Sequence, residues 1–140
     1  MGGINLDPAS SDIANEVVKA DIYYTAETDG LKKPWKGRVW LNPPYSADLI
    51  PLFVDKLKNS ITSIEQAVTL VNNATETAWF NILVSLSSAI VFPRSRIKFY
   101  MPDGKTGTPL QGQAVLYAGG NFTKFMAVFS QFGWGCILER

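Results

Sequence analysis

"EQAVTLVNNAT", Glu65 to Thr75, decides the fold. An amphipathic strand would show water every second residue, but from Ala67 to Val71 this run offers only Thr69 as a polar interruption. Such a near-continuous apolar strand suits a sheet covered on both faces, as parallel sheets are. Parallel neighbours need long crossovers, usually helical. The flanks supply them. Upstream, "SADLIPLFVDKLKNS" carries Leu49, Leu52, Phe53 and Leu57 at helical spacing, with Pro51 in the first turn where a missing donor does little harm. Downstream, "ETAWFNILVSLSS" reads as a second helix, with Thr75 or Thr77 near its start.

Further out the alternation continues. "RVWLNPP" is a strand cut off by proline, and "DIYYT" is a short strand rich in β-branched and aromatic residues. "GGINLDPASS" is a strand ending at Asp7-Pro8, followed by the helix "DIANEVVKA" with Ser10, Ser11 and Asp12 as possible N-caps. "AETDGLKKPWKG" is a loop. On the other side, "AIVFPRSRIKFYM" is strand-like around a proline bulge and "PDGKTGTPLQG" is a turn-rich loop. "QAVLYAGG" and "TKFMAVFSQFGWGCILE" close the chain with strand character. The pattern predicts one α/β domain over residues 1–140, a sandwich of mostly parallel sheet with a C-terminal antiparallel hairpin. In such sheets ligands bind beyond the carboxyl ends of the strands, so "LDPAS" and "LNPPYS" are expected side by side in one cleft.

Composition narrows the chemistry. The chain has 46% hydrophobic residues, enough for a core, and 13 basic against 12 acidic residues, so any polyanionic partner must be met by a local patch. There is no histidine and one cysteine, Cys136. Zinc sets built on histidine and Ser/His or Cys/His nucleophile pairs are therefore excluded, as is an internal disulfide. Metal-independent chemistry in the cytoplasm, away from membranes, is the expectation.

The chemical centre is "NPPY", Asn42 to Tyr45, at the end of an apolar strand. The Asn42 amide oxygen and the Pro43 carbonyl are two acceptors that no sheet ladder uses. Held a fixed distance apart, they can grip a planar amino group and enrich its nitrogen for attack on an electrophilic methyl. Pro43 and Pro44 fix the backbone beforehand, and Tyr45 offers a flat face for an extruded base.

At these residues the chain resembles the phage-type DNA N-6-adenine methyltransferases, which use S-adenosylmethionine. "LDPAS", "YYT...DGL...W.G.VWLNPPYS", "TETAWF" and "R.RI.F" follow in order across roughly Ile4 to Phe99. The resemblance implies a Rossmann-like methyltransferase sheet with a reversed terminal hairpin. It implies that Asp7, Pro8 and Ala9 border the methionine part of the cofactor and that Asp29 meets its adenine amino group. Asn42 and the Pro43 carbonyl would hold the target amine, with Tyr45 and Phe99 against the flipped base. Where many relatives place glycine after the first strand, this chain has Ser10, Ser11 and Asp12. Taken singly, Asp7 reads equally as a helix cap, Asp29-Gly30 as a turn pair and Phe99 as core.

Lys32, Lys33, Lys36, Arg94, Arg96, Lys98 and Lys105 bracket the expected cleft in sequence and are candidates for phosphate contacts, Lys32, Lys33, Lys36 and Arg96 foremost. The leading expectation is methyl transfer from S-adenosylmethionine to the N6 amine of adenine in DNA. The same motif also serves RNA bases and protein glutamine, and a non-catalytic nucleic-acid-binding module is a third reading.

Overall fold

The computed structural model describes residues 2–97, 99–100, 106–107 and 112–139, with backbone alone at 99–100 and 106–107. Lys98 and Lys105 lie outside the described residues, as does the side chain of Phe99.

The chain alternates as its periodicities require: β1 (Leu6–Asp7), α1 (Asp12–Val18), β2 (Ile22–Tyr23), β3 (Gly37–Leu41), α2 (Ile50–Ser60), β4 (Ile64–Asn72), α3 (Ala78–Leu86) and β5 (Ala89–Pro93). A small pair, β6 (Phe99–Tyr100) and β7 (Thr106–Gly107), precedes β8 (Gln113–Ala118), α4 (Phe122–Phe129) and β9 (Gly133–Ile137). Seven of these strands form one sheet in the order β2-β1-β3-β4-β8-β5-β9. β2, β1, β3 and β4 run parallel, while β8 is inserted antiparallel between β4 and β5, and β9 is antiparallel to β5.

Side-chain alternation sends the sheet's two faces into two cores. Val39, Leu41, Ala67, Val71, Ala114 and Leu116 pack under α2 and α3. Val68, Leu70, Val115 and Tyr117 pack under Phe125 of α4. β4 is buried on both faces, as its sequence requires. Thr77, rather than Thr75, caps α3, and Ser11 caps α1 through the Ala14 amide at 3.1 Å. Asp7 does not cap that helix. Among the described residues no helix is long and apolar enough to cross a membrane.

Three expectations are corrected. The stretch opening at "TKFMAVFSQF" is helix α4 before it is strand: Phe122, Phe125, Met126 and Phe129 recur at i, i+3, i+4 and i+7, and this period outweighs the β preference of phenylalanine. The terminal strands therefore make no hairpin with each other; β8 and β9 lie on opposite sides of β5, with α4 between them in sequence. On α2 the buried residues are Ile50, Phe53, Val54 and Leu57, whereas Leu49 and Leu52 are 38% and 50% exposed. Ile50, Phe53, Val54 and Leu57 recur at i, i+3, i+4 and i+7, and this stripe, not the one through Leu49 and Leu52, faces the core.

Candidate functional site

The strand order creates the cleft. From β1 the chain adds β2 on one side and then crosses back to place β3 on the other, so β1 and β3 are neighbours whose following loops diverge. Such a switch point opens a crevice at the carboxyl ends of the strands. "LDPAS" leaves β1 and "NPPY" leaves β3 at this point. A cleft of about 490 Å³ is lined there by Asp7, Ala9, Ser10, Ser11, Trp40 and the run Asn42 to Tyr45, among others. A second hollow of about 320 Å³ is lined by Pro8, Ala9, Ser10, Asp29, Leu31, Pro44 and Phe53, and it shares Ala9, Ser10 and Pro44 with the first.

On the β1 side, Asp7 is 2% exposed and its carboxyl is pushed up to about 6, mainly by burial, against the opposing pull of the Ala9 amide and the Ser10 side chain. The Ala9 amide donates to Asp7 Oδ1 at 3.3 Å. The serine turn is stitched to β2, with Ser10 N–H donating to the Tyr24 carbonyl and Tyr24 N–H to that of Asp7. Glycine is thus not needed to shape this turn.

The loop carrying Asp29 is held against the same turn. A Cβ on Gly30 would sit 2.1 Å from the Pro8 carbonyl oxygen, so only glycine lets the two loops meet. Asp29 has a left-handed backbone, φ 53°, and its carboxylate accepts from the Leu31 amide at 3.2 Å, capping a single 3-10 turn. The turn is anchored below by buried Trp35, whose indole N–H donates to the Gly30 carbonyl at 2.9 Å and whose ring lies 6.3 Å from Phe53. The turn-pair reading of Asp29-Gly30 is therefore correct, and the same turn lines a cavity.

On the β3 side, Pro43 is buried and Pro44 exposed. The Tyr45 hydroxyl donates to Asn42 Oδ1 at 2.9 Å and reaches the Leu70 carbonyl at 3.3 Å. Burial pushes this hydroxyl up to about 12, so it is a proton donor throughout the working range. Its hydrogen bond orients the Asn42 amide and takes one of the two acceptor positions on the oxygen that the amine was expected to use. The Pro43 carbonyl takes no hydrogen bond among the described residues. One acceptor of the pair is free and the other is held in place.

The basic candidates separate. Lys32 is 81% exposed and stands 3.9 Å from Asp29, at the carboxyl rim. Lys33 follows it, exposed. Lys36 lies with Asn5, Ile22 and Gly37 around a hollow at the amino end of β3, roughly 20 Å of extended chain from Asn42. Arg96 is exposed on the segment leaving β5, whose Ile97 amide donates to Gln113 Oε1 at 2.6 Å. Sequence reasoning passed over Gln113; its only signal was a polar residue opening an otherwise apolar strand. Phe99 lies on β6 and its placement against a base stays outside the described residues.

Comparison with known proteins adds two findings. The family described as DNA N-6-adenine-methyltransferase (Dam) matches residues 2–130. A DNA N-6-adenine-methyltransferase of Haemophilus phage HP1 (strain HP1c1) is 35% identical over 83 residues, which are 58% of this chain and 47% of the relative. The matched stretch thus spans about half the length of that curated relative.

Proposed function

Since the chain belongs to the DNA N-6-adenine-methyltransferase (Dam) family, we propose that it transfers a methyl group from S-adenosylmethionine to the exocyclic N6 amine of adenine in DNA, on a Rossmann-like methyltransferase sheet. The observation that carries this reading is the joining of "LDPAS", "DGL" and "NPPY" into two hollows that share a wall.

The cleft suits the cofactor. Its combined volume falls in the range of small-molecule sites, and it offers a buried carboxylate, Asp7, to a ligand that carries positive charge. Asp7, Pro8 and Ala9 would hold the methionine part, and Asp29 would meet the adenine amino group. The cofactor supplies the electrophilic methyl. The chain supplies position and polarity. Asn42 Oδ1 and the Pro43 carbonyl accept the two N–H bonds of the target amine, leaving its lone pair directed away from both. Neither proline can swing, so little reorganisation accompanies the reaction. Tyr45, tied by its hydroxyl to Asn42 and β4, limits where the base can enter and presents its ring to it. As the N–CH₃ bond forms the S–CH₃ bond breaks, the demethylated cofactor being the leaving group; the methylated nitrogen then loses its extra proton to solvent, and no general base is required. Lys32, Lys33 and Arg96 would contact phosphate, and Lys36 a more distant part of the nucleic acid.

The test is transfer of labelled methyl to plasmid DNA, with digestion to single nucleosides. Label in N6-methyladenine is expected; label only in cytosine, RNA or protein rejects the reading. The Asn42→Ala variant should bind S-adenosylmethionine as before and lose transfer by about 100-fold or more. Near-normal turnover would remove Asn42 from the site.

A further inference from the structure

The antiparallel insertion of β8 has a chemical result. Because β8 runs against β4, its first residue, Gln113, stands directly opposite the last residue of β4, Asn72. The start of one strand is thereby delivered to the rim where the parallel strands end. Side chains two residues apart share a face. Stepping two residues from Trp40 gives Asn42, from Leu70 gives Asn72, and from Val115 gives Gln113; Trp40, Leu70 and Val115 all pack into the α4-side cluster. Three amides, on three successive strands, thus gather on one face at one rim.

Two of the three are unfinished. Among the described residues, Asn72 Oδ1 and Gln113 Nε2 are buried without a hydrogen-bond partner. Gln113 is 4% exposed, so its donor is cut off from water, which costs stability while no partner is present. The orientation of this amide is fixed. Its oxygen must face the Ile97 N–H, at 2.6 Å, which leaves the NH₂ group on the other side. That side faces the Tyr45 hydroxyl, closely enough to favour the phenol's ionised form while falling short of a full hydrogen bond. The hydroxyl gives its own proton to Asn42 Oδ1. A buried, preoriented and unused donor therefore sits one side chain away from the acceptor pair.

We propose that Gln113 is a base-recognition residue, its side-chain NH₂ donating to the ring nitrogen beside the target amine. This rests on the amine-methylating function above and sharpens its substrate. In adenine the exocyclic amine is flanked by N1 and N7, both bare acceptors. With the amine gripped by Asn42 and Pro43, one of them turns toward β8. A base protonated at that nitrogen, or one carrying a hydrogen there, meets donor with donor and is refused. An adenine of the right protonation state gives the Gln113 donor a full partner.

Gln113 also anchors the segment of Arg96 through Ile97, and loss of that anchor alone could slow the enzyme. The test must therefore read discrimination, not rate. Polymerase-copied DNA carrying adenine, 1-deazaadenine or 7-deazaadenine is offered in pairwise competition. The unsubstituted protein is expected to disfavour one deaza analogue by about 10-fold, since the analogue leaves the Gln113 donor unpaired. Gln113→Leu should be slower on all three and show a ratio near one. Gln113→Glu keeps an acceptor for Ile97 and, in alkaline buffer, presents a carboxylate where the donor was, so it should lose discrimination while keeping the anchored segment. If Gln113→Leu and Gln113→Glu discriminate as the unsubstituted protein does, or if that protein treats both analogues like adenine, Gln113 does not read the base. That result would leave the methyltransferase reading intact, whereas failure of the unsubstituted protein to methylate any adenine would remove both.

Discussion

The two rims of the parallel strands are built from similar residues and treat their polar groups in opposite ways. At the amino rim the side chains of Asn5 and Arg38 are paired. Asn5 Oδ1 accepts from the Arg38 amide at 2.8 Å and Asn5 Nδ2 donates to Asp21 at 3.0 Å, while the Arg38 guanidinium spans the Gly3 carbonyl and Glu65. At the carboxyl rim, among the described residues, the Pro43 carbonyl takes no hydrogen bond, Asn72 and Gln113 each keep an unpaired buried atom, and Asp7 is held in a place that resists its charge. Native proteins pair nearly all buried polar atoms, so a rim that gathers the exceptions is a rim waiting for a ligand. The amino rim closes the fold, and the carboxyl rim keeps it open to chemistry.

The comparison breaks most severely at Gly30. Valine there drives a branched side chain into the Pro8 carbonyl, which a Cβ alone would approach to 2.1 Å. The two loops can relieve this only by parting. Chemical denaturation should show a loss of about 3 kcal/mol or more, and binding of S-adenosylmethionine should disappear in whatever folded protein remains. Unchanged stability would mean that the loop contact is not what closes the cofactor side.

Asp7 sharpens the comparison through its sign. Its carboxyl stands at about 6 in the folded protein against an ordinary 3.8. The folded state therefore keeps a proton that the unfolded chain has released. Stability falls as pH rises from about 4 to about 6, then stays level, with a total cost on the order of 2–3 kcal/mol. Asp7→Asn, which keeps an acceptor for the Ala9 amide, should recover much of this near neutral pH and little near pH 4, measured by urea midpoints. The same substitution should weaken S-adenosylmethionine binding by about 10-fold, because the cation loses its counter-charge. A stabilised protein that binds worse is the expected mark of a residue kept for function.

Much of this was legible beforehand, for physical reasons. Strands that end in Asp-Pro or Asn-Pro announce their ends, since proline cannot continue a ladder, and those ends are where the parallel sheet places its site. The continuous apolar run of β4 likewise carried its own burial. What stayed hidden was long-range. No local feature says that β8 slips antiparallel between β4 and β5, so neither the separation of the terminal strands nor the arrival of Gln113 beside Asn72 could be read from the chain. Helix α4 was legible in principle, its four aromatic and methionine positions following the helical period, but β-favouring residues masked it.

The smallest effect separates the basic residues by rim. Lys32 and Lys33 follow the 3-10 turn at the carboxyl rim, and Lys36 begins the approach to β3 at the amino rim. In sequence they are one cluster, and in space the core residue Trp35 and roughly 10 Å of extended chain separate Lys33 from Lys36. Neutralising Lys32 and Lys33 together should reduce the logarithmic salt dependence of DNA binding by about 1–2, one phosphate contact for each charge removed. Lys36→Ala should alter it by less than either, because DNA seated over Asn42 reaches Lys36 only if it continues around the edge of the sheet. An effect of Lys36 equal to that of Lys32 would require such a wrapped path, and would make the amino rim a second contact surface for the nucleic acid.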